Sequence, residues 1–295
     1  MPRHPRVIQT IAPRHLLILL TKMPRLTLPA RRLWLLFPLT LTACGHAKDA
    51  DAPPPPAAPA VASITYQVIN VLPHDAQSFT EGLEIHDSIL YESEGNFGKS
   101  SLSTYRLSDG KLLQRKKLPD ANFGEGLTVL GDKLYQLTYK EHDVFVYHYP
   151  DLAPLKPMTW PHDGWGMTND GKRLIADDGS SNLYFIDPAT FKETGRVEVT
   201  DEHGPVDQLN ELEYVDGRVY ANRWHTNDIY CIDPATGKVT GRIDLGDLFA
   251  QAGQTPELQD PRDDVLNGIA YNAAKKTFVV TGKHWPNAYE LRLAQ

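Results

Sequence analysis

The chain has 295 residues, 41% of them hydrophobic and 23% charged, with only two cysteines. That composition excludes wholesale disorder, a disulfide framework and a cysteine zinc cluster. The net charge of −7 is uneven: residues 1–43 carry seven Lys or Arg and no acid, leaving 23 basic against 37 acidic groups elsewhere. An acidic body lacks the basic face that nucleic-acid phosphates require, so no nucleic-acid partner is expected.

The first segment has the pattern of an address. Arg31-Arg32 precede an apolar run of eleven residues, Leu33 to Ala43. That run is too short to span a bilayer as a helix and suits the core of a signal peptide. Leu41-Thr42-Ala43-Cys44-Gly45 resembles a bacterial lipobox, in which Cys44 is lipidated and becomes the mature first residue. Met23 would begin a compact signal by itself. Gly-His-Ala-Lys-Asp follows Cys44, with no Asp at the second position, which favours the outer membrane of a Gram-negative cell. The sequence therefore divides into a signal segment 1–43, a lipidated Pro/Ala-rich tether 44–63 and a folded domain 64–295. The expected product is an exported, periplasm-facing lipoprotein that meets the membrane only through its anchor.

From Ile64 onward, short runs rich in Val, Ile, Tyr and Leu alternate with Asp-Gly, Gly-Asp and Asp-Pro turns. Five segments share one plan. Their first strands begin Phe79-Thr-Glu-Gly-Leu, Phe123-Gly-Glu-Gly-Leu, Asp163-Gly-Trp-Gly-Met, Leu209-Asn-Glu-Leu-Glu and Leu266-Asn-Gly-Ile-Ala. Second and third strands follow each, and Asp187-Pro-Ala-Thr190 and Asp233-Pro-Ala-Thr236 are matching turns into a fourth. Four-stranded repeats of this length predict an all-β fold, a five-bladed β-propeller. The fifth repeat ends after its third strand. The N-terminal strand Ile64 to Val71 is expected to pair into that last blade, closing the ring and covering a bare edge. Two stacked sheets would give no reason for five matching segments. One short helical insert is expected at Asp247 to Gln254.

In a propeller the first strand of each blade lines the axis. Aligned repeats place Glu81, Glu125, Trp165, Asn210 and Asn267 around one opening, at spacings of 44, 40, 45 and 57 residues. Glycines follow four of them, where close backbone approach excludes a side chain. Phe79, Phe123, Trp224, His225, Lys283, His284 and Trp285 can reach the same mouth from loops. Aromatic walls with a few polar groups describe a small-ligand pocket. Two neighbouring carboxyls would not readily both ionise, and burial raises either, which suits a group that takes and gives protons. The bland reading is that both glutamates brace the central strands by accepting backbone N–H bonds.

Phe79-Thr-Glu-Gly-Leu, Phe123-Gly-Glu-Gly-Leu-Thr, Gly164-Trp-Gly-Met, Leu209-Asn-Glu-Leu-Glu, Asn222-Arg-Trp and Leu266-Asn-Gly-Ile-Ala resemble the plant-type glutaminyl-peptide cyclotransferases and their bacterial relatives. The resemblance covers residues 64–295 and implies a five-bladed propeller that converts amino-terminal glutamine of peptides or proteins into pyroglutamate with release of ammonia. It implies that Glu125 is the acid/base glutamate and that Asn210, Trp165, Trp224 and Lys283 surround the substrate. Phe79 and Phe123 match aromatic pocket positions. Glu81 stands where Gln is expected in much of the family, and Tyr139 where Trp is common.

In that chemistry the substrate's neutral α-amine attacks its own γ-amide carbon. Glu125 accepts a proton and delivers one to departing ammonia, Lys283 or Asn210 stabilises the oxyanion, and Glu81, Trp165, Trp224 and Asn267 contact the substrate. No cofactor is required. The eleven His are scattered without metal-site spacing, so no catalytic metal is expected. The acidic pairs Asp177-Asp178 and Asp263-Asp264 read as solvated loops that leave a structural calcium open. His162, His225 and His284 read as exposed or hydrogen-bonded, and Cys231 as buried filler. A closed propeller needs no partner subunit, so a monomer is expected. The rival functions are a non-catalytic propeller binding peptide or glycan and a metal-dependent lactonase-type hydrolase.

Overall fold

The computed structural model describes residues 60–255, 258 and 260–294. Cys44, the signal segment and most of the tether lie outside the described residues. The described residues fold into five β-sheets taken up one after another. The first comprises Thr80–His86, Ile89–Glu94, Ser101–Arg106 and Lys111–Lys117. The second comprises Gly124–Leu130, Lys133–Thr138, Asp143–His148 and the two-residue Met158–Thr159. Met167–Asn169, Leu174–Ala176, Asn182–Asp187 and Lys192–Glu198 form the third. Leu209–Val215, Arg218–Arg223, Asp228–Asp233 and Lys238–Asp244 carry the fourth. The fifth has Leu266–Asn272, Thr277–Gly282 and Asn287–Leu293, with Tyr66–Pro73 antiparallel to the last. The architecture is an all-β propeller. A single helical turn, Leu248–Gln251, precedes the fifth sheet.

Burial explains the order of strands. Inner strands such as Gly124–Leu130 are covered along almost their whole length. The outer strand Lys238–Asp244 alternates instead, with Val239, Gly241 and Ile243 inward and Lys238, Thr240, Arg242 and Asp244 outward. Asp216-Gly217, both at positive φ, make the tight hairpin after Val215 that a two-residue turn of opposite hand requires. Apolar seams join neighbouring sheets. Tyr91 and Leu102 meet Leu127 and Val129 between the first and second. Leu83, Leu90 and Tyr105 of the first sheet meet Ala270 of the fifth.

Three expectations need correction. Four sheets keep the four-stranded plan, but the fourth has seven strands. Thr200–Asp201 and Ala62–Ser63 pair in parallel with Lys238–Asp244, and Gly204–Pro205 pairs with Thr200–Asp201. These short pieces cover an edge that Lys238–Asp244 would otherwise leave unpaired. Ala62–Ser63, assigned to the tether, thus belongs to the fold. Trp165 lies just before the short inner strand Met167–Asn169, not on it. There the pairing is irregular: the Trp165 amide donates to the Asp177 carbonyl at 3.3 Å, and the Asp177 amide to the Gly166 carbonyl at 3.2 Å.

The inner strands crowd one another. A Cβ on Gly82 would stand 2.7 Å from the Leu127 amide nitrogen. On Gly126 it would collide with Trp165 and Met167 backbone, and on Gly166 with the Asn210 carbonyl. Only glycine permits this approach.

Candidate active site

Four inner strands carry a register shift at the position the repeats align. It falls between Thr80 and Gly82, Gly124 and Leu127, Leu209 and Leu212, and Leu266 and Ile269. Each bulge therefore contains Glu81, Glu125, Asn210 or Asn267. A bulge re-aims the side chain it carries and frees it from strict alternation. Together with aromatic residues from the loops, these shifts build an open cavity of about 220 Å³. Phe79, Glu81, Phe97, Phe123, Glu125, Tyr139, Trp165, Asn210, Trp224 and Lys283 line it.

Loops set the walls. Phe79 and Phe123 each precede an inner strand, and their rings meet edge to face at 6.0 Å. The Phe123 carbonyl accepts the Tyr139 amide at 3.0 Å, and the Phe123 amide donates to Glu141 at 3.2 Å. Trp165 and Trp224, also in the lining, make an edge-to-face pair at 5.5 Å. The Trp224 amide donates to the Gln208 carbonyl at 2.8 Å, and the His225 ring lies 4.0 Å from the Trp224 ring.

The polar floor is anchored across the molecule. Lys283 Nζ donates to Glu81 Oε1 at 2.7 Å and lies 4.4 Å over the Phe79 ring. Asn267 Nδ2 donates to Glu81 Oε2 at 3.0 Å and to the Thr80 carbonyl at 2.9 Å. Burial pushes the Glu81 carboxyl up, while Lys283 and then Asn267 pull it back without cancelling the rise. Glu125 goes much further. Burial raises it first, repulsion from Glu81 second, and Lys283 offsets only part. Asp177 contributes to that rise. It is fully buried, its Oδ1 accepts the Gly179 amide at 3.1 Å, and its Oδ2 has no hydrogen-bond partner. Asn210 Oδ1 is likewise buried and unpartnered, so it can accept an N–H from a bound molecule. The site thus offers a carboxyl whose protonated form is favoured, a fixed ion pair and an orphaned acceptor between aromatic walls.

Eight of the nine proposed catalytic and substrate-contacting residues line this cavity. Asn267 does not: it is fully buried behind Glu81 and holds that carboxylate. Lys283, expected with Asn210 as a candidate oxyanion donor, has one of its N–H groups on Glu81. Trp285, expected at the mouth, packs into the core against Phe249 and Tyr289, with its indole N–H on the Asp264 carbonyl. The acidic pairs are not both solvated. Asp177 is buried, and Asp264 accepts His284 Nδ1 at 2.8 Å and the Asp260 amide at 2.9 Å. Among the described residues no group of three His, Cys, Asp or Glu is placed to hold a metal ion. Cys231 is buried.

Bracing, the bland reading for Glu81 and Glu125, falls to other glutamates. Glu211 accepts the Leu83 amide at 3.1 Å and the Ile269 amide at 2.7 Å, joining three sheets. Glu213 accepts the Tyr271 amide at 2.8 Å, and Glu84 the Val129 amide at 3.0 Å. Sequence reasoning missed the roles of these residues along with Phe97, and it read the buried Asp177 as solvated. The signal for Glu211 and Glu213 was there, since two acids on one inner strand must find partners.

Comparison with known proteins follows the same line. A family model described as glutamine cyclotransferase matches residues 36–293. The chain is 39% identical over 232 residues to a glutaminyl-peptide cyclotransferase of Arabidopsis thaliana, covering 78% of this chain and 71% of that one. It superimposes on the crystal structure of Myxococcus xanthus glutaminyl cyclase with a TM-score of 0.72 and 34% identity, covering 79% of this chain and 98% of that one.

Proposed function

The chain belongs to the glutamine cyclotransferase family, and from that premise we propose that it converts the amino-terminal glutamine of peptides or proteins to pyroglutamate, releasing ammonia. The observation that carries this reading is Glu125, a buried carboxyl raised well above its ordinary value at the floor of an aromatic cavity. Trp165 and Trp224 grip the glutamine side chain and exclude water. Held bent, the substrate brings its own α-amine against the γ-carbon, so the attack is intramolecular and much of its entropic barrier is already met. The new C–N bond forms as the amide C–N bond weakens. Glu125 takes a proton from the attacking nitrogen and supplies one to the departing nitrogen, which leaves as ammonia. Asn210 Oδ1 accepts an N–H of the bound substrate. Lys283, with N–H groups beyond the one on Glu81, supplies positive potential where the oxyanion develops.

Protons and bonds balance within substrate and Glu125, so we read the reaction as needing no cofactor. We also read the five sheets as five blades of one closed ring. The pairing of Tyr66–Pro73 with Asn287–Leu293 and the seam from Leu83 to Ala270 support that reading. The domain then acts as a monomer, tethered through Cys44 as a periplasm-facing, outer-membrane lipoprotein.

Glu125→Gln tests the assignment. Ammonia release from a Gln-initiated peptide should fall by about 10²–10⁴-fold while the melting temperature stays near that of the parent. Near-normal rates would reject Glu125 as the acid/base.

A further inference from the structure

Phe97 is the most exposed of the large hydrophobic residues standing free among the described residues, with 59% of its surface accessible. It is also part of the cavity wall. A large exposed aromatic normally folds away or moves freely, but this one is held out. Asn96 and Gly98 on either side both have positive φ, 83° and 75°. The Gly95 amide donates to the Phe79 carbonyl at 2.8 Å and the Gly98 amide to the Asp120 carbonyl at 3.0 Å. The Lys99 and Ser100 amides both donate to the Asn96 carbonyl, at 2.9 and 2.8 Å. A Cβ on Gly95 would run into the Phe123 ring and stand 3.1 Å from Glu81 Cγ, so the loop sits directly on the cavity wall. The Phe97 ring meets Phe123 edge to face at 5.5 Å, and Phe123 in turn meets Tyr139 at 6.1 Å.

We propose that Phe97 determines substrate choice by packing on the side chain of the residue that follows the amino-terminal glutamine, favouring peptides with an aromatic second residue. This rests on the cyclisation reading above. With the glutamine's amine and amide at Glu125, the peptide leaves through the mouth. The next Cα lies one trans-peptide step, about 3.8 Å, further out. There the second side chain meets the rim rather than the floor, and Phe97 is the aromatic offered at the rim. An edge-to-face or offset aromatic pair rewards Phe over Ala at that position by up to about tenfold.

The test is kcat/KM for Gln-Phe-Ala against Gln-Ala-Ala, read by ammonia release. The parent should prefer Gln-Phe-Ala by about tenfold, chiefly in KM. Phe97→Ala should bring the ratio to within about twofold, and Phe97→Tyr should keep it. Equal rates on the two peptides in the parent would overturn the proposal. So would a Phe97→Ala variant that slows both peptides by the same factor. No ammonia from either peptide in the parent would overturn the cyclisation reading itself, which is a different result.

Discussion

Lys283→Met isolates what the buried ion pair does. Lys283 and Glu81 touch at 2.7 Å with side chains only 6% and 4% exposed. At an effective dielectric near 20 that contact represents about 6 kcal/mol of gross attraction. Removing the cation strands a buried carboxylate, which typically costs about 3–5 kcal/mol. Glu81 has one escape, which is to hold a proton. In the unfolded chain it is an ordinary carboxyl near 4.5, whereas burial holds the folded group higher. Without Lys283 the folded group rises further still. Between the two values the unfolded chain has released the proton and the folded one has kept it. Unfolding therefore releases a proton, and stability falls as pH rises, by about 1.4 kcal/mol per pH unit. In the parent, Lys283 ends that window early by favouring the charged form. The variant should thus match the parent closely at pH 5 and lose about 3–5 kcal/mol by pH 8, measured by urea unfolding across the range. A deficit of equal size at every pH, or one that shrinks as pH rises, would refute the reasoning. Adding Glu81→Gln removes both charges. The double variant should recover to within about 2 kcal/mol of the parent and lose the slope.

Glu81→Gln alone removes the like charge that lifts Glu125, and it frees Lys283 to act in the same direction. The limb of the pH–rate profile governed by Glu125 should move to lower pH by about one unit or more, and a limb that stays put or moves upward would count against the coupling. Cys44→Ser should move the protein from the membrane pellet to the soluble fraction of exporting cells, and continued sedimentation with lipid would end the anchor proposal.

What could be read from the sequence, and what could not, divides along physical lines. Local patterning carried the strands, because each repeat must alternate turns with half-buried runs. Lys238–Asp244 shows that alternation directly. Register carried the convergence of Glu81, Glu125 and Asn210 on one cavity, because equivalent positions of repeated units meet there. The glycines beside them were legible for the same reason. Partnerships between distant strands were not legible. Lys283 finds Glu81 over 202 residues and Asn267 finds it over 186, and no local pattern encodes either pairing. Bulges were also hidden, since an inserted residue breaks the period that strand reading relies on. Adjacent residues there have unlike tasks, Asn210 facing the cavity while Glu211 binds the Leu83 and Ile269 amides. Phe97 escaped notice because its importance comes from being held in the open, and sequence patterns report burial.

Charge counting ties the floor of the cavity to its chemistry. Glu81 and Lys283 neutralise each other, so Glu125 decides the balance. Burial and the neighbouring Glu81 both favour its protonated form. In the proposed reaction, a peptide that arrives as an ammonium meets a Glu125 that already holds a proton, so one of the two protons leaves to solvent on binding. The amine and Glu125 need only one proton between them for the reaction. Were Glu125 an ordinary carboxyl, that proton would rest on the amine and block its lone pair. The raised carboxyl draws it toward Glu125, leaving the amine free to attack and placing the proton where the departing nitrogen requires it. The carboxylate left behind then takes the proton from the newly bonded nitrogen, and the cycle closes. In that scheme the second carboxylate has a task of its own: by holding Lys283 and repelling charge on Glu125, Glu81 favours the shared proton on Glu125.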